Sequence, residues 1–127
     1  MQENHLYEYA VIRVVPRVER EEFLNTGVVL YCAKKRFLKA VFELDQKRFN
    51  AFTEELDTEE IEKHLQSFVK ICDGTDDSGP IGRLDAASRF RWLTAARSTV
   101  IQASKVHPGF CKDPEETLMR LFKQLVL

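Results

Sequence analysis

An α+β domain is the fold class this sequence predicts: a mainly antiparallel sheet of about five strands with three helices packed on one face. Three observations predict it. The first third of the chain alternates apolar and polar residues between turn-forming clusters. The middle third spaces its apolar residues by three and four. The last third returns to strand-forming residues before a well-capped terminal helix, so strands and helices are segregated rather than alternating.

Leu6 to Val15 is rich in Tyr, Val and Ile and stops at Pro16, the pattern of a strand. Val18 to Asn25 is acidic and holds Phe23 and Leu24, a turn or one short helical turn. Gly27 to Ala33 is an apolar run of buried-strand length. Lys34, Lys35 and Arg36 make a hairpin turn, and Phe37 to Leu44 then alternates as a half-buried strand. Asp45 opens a helix carrying Phe49, Phe52 and Leu56. Asp57 or Thr58 opens the next, with Ile61, Leu65, Phe68, Val69 and Cys72 on one face. Residues 73–82 hold Gly and Pro without apolar periodicity and form a loop. Arg89 to Thr94 and Ser98 to His107 read as two further strands, a C-terminal hairpin. Asp113-Pro114-Glu115-Glu116 is a strong helix start, followed by Leu118, Leu121, Phe122 and Leu125 on the buried side.

With 127 residues, 44% hydrophobic and 31% charged, the chain is expected to be a single domain over 1–127 with a substantial core. No apolar run has the length of a membrane span, and the N-terminus lacks the basic-then-apolar order of a signal peptide. Cys32, Cys72 and Cys111 are odd in number and form no CxxC pair. They imply a reducing, cytoplasmic setting rather than a disulfide frame or a zinc site.

Charge is distributed unevenly. Residues 1–82 carry eleven basic against sixteen acidic side chains, whereas residues 83–112 carry six basic (Arg83, Arg89, Arg91, Arg97, Lys105, Lys112) against Asp85 alone. A local basic zone in an acidic chain marks an anion-facing surface and argues against general nucleic-acid binding. Ion pairing of these arginines with the acidic first half is the other reading.

The candidate site lies in Arg89 to Gly109. Strand pleating puts Ser98, Gln102 and Ser104 on one face as an array of hydroxyl and amide groups. Arg97 beside them offers a planar fork that suits carboxylate or phosphate, and Arg89 adds a second guanidinium. His107, before Pro108-Gly109, is the one imidazole placed to act as an acid or base. Glu22 is a candidate carboxylate partner, for His107 in catalysis or for Arg97 or Arg89 in an ion pair. Asn25 joins the ligand-binding set, and Gly27 suits a tight connection. Polarity for solubility and ordinary ion pairing explain the same residues without a ligand. His5, His64 and His107 have no metal-ligand spacing, so neither a metal nor a cofactor is expected. The chain contains no phosphate-binding glycine loop, GxSxG elbow, HExxH helix or dinucleotide fingerprint.

Several blocks together resemble a bacterial family known as domain of unknown function 3037. They are YEYAVIRVVPRVEREEFLNTGVVLYC, RFRWLTAARSTVIQASKVHPGF and the helix after Asp113-Pro114. The resemblance rests on the proline-ended first strand, the Glu-Phe-x-Asn-x-Gly-Val turn at Glu22 to Val28, and the Arg-Ser-x-x-x-Gln…His-x-Gly block at Arg97 to Gly109. Where the family commonly has glycine before that glutamate, this chain has Glu21. The resemblance implies bacterial origin and, as a partner, a kinase-like protein of the HipA type. It implies no activity.

Two functional expectations follow. One is a small binding or interaction module whose 83–112 surface engages an acidic patch, a phosphate or a nucleotide. The other is a small enzyme on an anionic or phosphate-containing substrate, with His107 as acid or base, Glu22 as its partner, and Arg97 with Gln102 holding the anion.

Overall fold

The computed structural model describes residues 4–97 and 99–127. Five strands and four helices follow in the order β1 (His5–Val14), β2 (Leu24–Cys32), β3 (Phe37–Phe42), α1 (Gln46–Phe52), α2 (Thr58–Asp73), α3 (Ala86–Leu93), β4 (Ile101–Ala103), β5 (His107–Cys111) and α4 (Pro114–Leu125). Single 3-10 turns span Val18–Arg20 and Ile81–Arg83. All strand pairs are antiparallel, in the order β3-β2-β1-β4, with β5 also paired to β1. The α+β class with five antiparallel strands therefore holds, with four helices in place of three.

Helices cover both faces of the sheet. Ala10, Ile12 and Val14 of β1, with Val29 and Ala40, pack under Phe49 of α1, Leu65 and Phe68 of α2, and Phe90 and Leu93 of α3. Val28, Leu30 and Cys32 of β2 face the other way, against Leu118, Leu121 and Phe122 of α4. The terminal helix thus lies opposite the other three. Val28, Val29 and Leu30 are all fully buried, which is what a continuous apolar strand signals: cover on both faces rather than one.

The segment Arg89–Thr94 is helix, not strand. Asp85 accepts from the Ser88 N–H at 2.7 Å and caps α3. Phe90 and Leu93, three residues apart, are then buried on one side while Trp92 is 39% exposed. The alternation of Phe90 and Trp92 fits both periods over so short a stretch, and the cap with the helical spacing decides. The predicted Ser98–His107 strand is divided. β4 pairs with Ile12–Val14, β5 pairs with His5–Tyr9, and the two share one edge of β1.

Glu21 ends the first 3-10 turn in the left-handed region at φ 58°. The reversal before β2 is therefore made with a glutamate where glycine would be unstrained.

Candidate functional site

The segment marked by its polar residues lines a groove of about 540 Å³ between α2, α3 and the β4 edge. Phe68 and Ile71 of α2, Leu93 of α3, and Val100 with Ile101 give it an apolar floor. His64, Ser67, Arg97 and Thr99 supply its polar side chains, Gln102 borders it along β4, and among the described residues no carboxylate lines it. Helical spacing explains the α2 contribution: His64, Phe68 and Ile71 succeed one another at four and three residues.

Arg97 is held rather than loose. Its guanidinium carbon lies 4.0 Å from the centre of the Trp92 ring, and Nη2 donates to the Trp92 carbonyl oxygen. Stacking and hydrogen bond together fix the plane of the fork, while Nε and Nη1 form no bond among the described residues. Gln102 donates from Nε2 to the Thr99 carbonyl oxygen at 2.8 Å, leaving its side-chain oxygen as an acceptor.

The other predicted site residues are dispersed. Arg89 donates to the Ile71, Cys72 and Leu84 carbonyl oxygens at 2.9, 2.6 and 3.0 Å, and so closes the C-terminal end of α2. Its neighbour Arg91 makes a two-pronged ion pair with Glu8. Ser104 accepts from the Val11 N–H at 2.8 Å and donates to the Lys105 carbonyl oxygen. Asn25 donates to the Leu125 carbonyl oxygen at 3.1 Å, with Oδ1 buried and unbonded. Ser98 lies outside the described residues. Arg83, Lys105 and Lys112 remain exposed. Part of the basic zone therefore holds the fold together.

His107 and Glu22 are not brought together. His107 pairs with Tyr9 on β1 and rests against its ring at 5.3 Å. Glu22 pairs with Arg20 two residues before β2, near the end of β1 where Leu24 meets Val14. Tyr9 and Val14 are about 16 Å apart along an extended strand, so no single water links the imidazole to that carboxylate.

His64, Phe68, Ile71 and Trp92 were not among the sequence candidates. Phe68 belonged to the apolar stripe of the second middle helix and Trp92 to the expected core, so both read as packing residues. Arg13 is a further residue the sequence did not single out. Its guanidinium sits 3.8 Å over Phe23, and partial burial holds its pKa below the ordinary arginine value.

The cysteines take no part in the groove. Burial, with Asp73 adding to it, pushes the Cys72 thiol up to about 12, and burial also raises that of Cys111. Among the described residues, no group of three or more His, Cys, Asp or Glu side chains has a metal-holding arrangement. No described helix is long and apolar enough to cross a membrane.

No curated protein and no solved structure matches the chain significantly. A family model described as "Protein of unknown function (DUF3037)" matches residues 9–126, from within β1 to just past the end of α4. The chain belongs to that family.

Proposed function

We propose that this chain is a small protein-interaction module that engages its partner through the groove between α2, α3 and β4. Arg97 meets a carboxylate or phosphate group that the partner presents. One observation carries this reading: an apolar groove of about 540 Å³ has a stacked, oriented guanidinium and an imidazole in its lining and, among the described residues, no carboxylate. Apolar area supplies most of the binding free energy at such a site, and the charge selects what enters. A HipA-type kinase-like protein is the partner to try first. A phosphate or nucleotide carried by such a protein meets the same chemical requirement.

The reading as a small enzyme on an anionic or phosphate-containing substrate draws on one observation, that the register of β4 and β5 turns Gln102 and His107 to the same side of the sheet. Glu22 offers it no help, being paired with Arg20.

Affinity for the purified kinase-like partner, measured by calorimetry, tests the module. Arg97→Ala and Trp92→Ala are each expected to weaken binding about tenfold, the equivalent of about 1.4 kcal/mol. Arg83→Ala, outside the groove, leaves it unchanged. Unaltered affinity in both groove variants rejects this surface.

A further inference from the structure

We infer that the groove accepts an extended, acid-bearing segment of another protein, which adds to the sheet as a new strand along the free edge of β4. This inference rests on the groove being the interaction surface and specifies how the partner enters it.

Among the described residues, the backbone of β4 is paired on one side only. Ser104 donates its N–H to the Val11 carbonyl oxygen and Val15 donates to the Val100 carbonyl oxygen. The bonds to β1 thus fall on the even-numbered positions of this edge, and antiparallel alternation turns the N–H and C=O of Ile101 and Ala103 outward. Thr99 already occupies the Ile101 carbonyl oxygen through its hydroxyl at 2.7 Å. Two N–H groups and the Ala103 carbonyl remain for an incoming chain.

That edge runs along the groove. Ile101 and Ala103 pair with Val14 and Ile12, so their side chains lie on the face covered by α1, α2 and α3. A strand laid beside β4 directs every second side chain to the same face, toward Phe68, Ile71 and Leu93. Main-chain bonds and alternate apolar pockets together are the requirements of strand addition.

The charge of the lining selects the occupant. Arg97 and His64 favour a segment that carries a carboxylate. This chain's own edge strands do not qualify: β3 is Phe-Leu-Lys-Ala-Val-Phe, β4 is Ile-Gln-Ala and β5 is His-Pro-Gly-Phe-Cys, none with an acidic residue. Pro108 also removes an N–H from β5. A second copy is therefore a poor fit, and a segment of a different protein satisfies both edge and charge.

The experiment uses three labelled heptapeptides with alternate Val, Leu or Phe and a central Asp. Binding to the full chain is followed by fluorescence anisotropy and by amide hydrogen exchange. At least one peptide is expected to bind and to slow exchange at Ile101 and Ala103. N-methylation of its edge-facing amides, or Asp→Lys, weakens that peptide at least tenfold. Ala103→Pro, which removes one outward N–H, weakens it similarly. Absence of binding by all three peptides overturns the inference. So does equal binding of the N-methylated form, which locates a ligand in the groove without strand pairing and leaves the module reading intact. Concentration-dependent self-association that protects Ile101 and Ala103 without peptide makes the occupant a second copy and also overturns it. Loss of the Arg97 and Trp92 dependence of partner binding is a separate failure, that of the module itself.

Discussion

Gln102 and His107 face the same side of the sheet although five positions separate them. Gln102 pairs with Arg13 and His107 pairs with Tyr9, four residues apart on β1. One extra residue is absorbed between β4 and β5, and because side chains alternate with period two, that single residue reverses the facing of everything after it. At the start of the irregular stretch, the Ser104 hydroxyl takes the Val11 N–H that a strand carbonyl would otherwise bind.

Ser104→Ala removes the acceptor for that N–H. Val11 is 7% exposed, so water reaches the orphaned donor poorly. Urea denaturation is expected to show a loss of about 1–3 kcal/mol. A loss below about 0.3 kcal/mol would mean that the backbone closes the gap by itself.

Arg89 holds three carbonyl oxygens at and near the end of α2. Arg89→Ala is expected to cost about 2 kcal/mol, with faster amide exchange in the last turn of α2. Arg89→Lys does not restore it, because one ammonium cannot reproduce the planar fork. Partner affinity measured on the folded variant stays as in the wild type, which separates this structural arginine from Arg97.

Gly27 has no left-handed backbone to justify it. The expectation that it serves a special conformation is replaced by close approach: a Cβ there would lie 2.5 Å from the Val41 carbonyl oxygen and 3.0 Å from the Phe42 Cβ. Gly27→Ala is expected to cost about 3 kcal/mol, because two paired strands must move apart. A change in the denaturation midpoint too small to measure would show that β3 yields freely.

Glu21 presents the opposite case, a side chain in the left-handed region. Glu21→Gly is expected to stabilise the protein by about 0.5–1 kcal/mol, the relief of strain exceeding the added freedom of the unfolded chain. Thermal unfolding of the two proteins side by side decides it, a lower midpoint in the variant counting against strain.

Cys72 is 2% exposed, and its thiol is pushed up to about 12 by burial and by Asp73. At pH 8 about one molecule in ten thousand carries the thiolate, so a disulfide reagent is expected to label Cys72 only after unfolding. The folded state keeps a proton that the unfolded thiol, ordinarily near 8.5, gives up. The stability this contributes is therefore present below about pH 8.5 and lost as pH rises toward 12. The stability difference between wild type and Cys72→Ala should narrow between pH 8 and pH 10.5; a constant difference would show that the thiol titrates normally.

The strands β1 to β3, the two middle helices and α4 were legible because each rests on local signals: a proline stop, an alternation, or an aspartate cap at Asp45, Asp57 or Asp113. α3 was not, because its apolar residues fit both periods and Asp85 was not read as a cap. Of the candidate segment, Arg97 and Gln102 are among the residues that border the groove. Arg89, Ser104 and Asn25 were polar for a different reason, each bonding to a backbone group far away in sequence.

The sequence by itself determined the α+β class and most element boundaries, because caps, turns and periodicity act over a few residues. Only the tertiary structure decided that α4 crosses to the opposite face and that the extra residue before β5 turns His107 toward the side of Gln102. It alone set Arg97 against Trp92 and joined α2 to the β4 edge. Those outcomes depend on strand register and on contacts between residues distant in the chain, and neither leaves a local pattern to read.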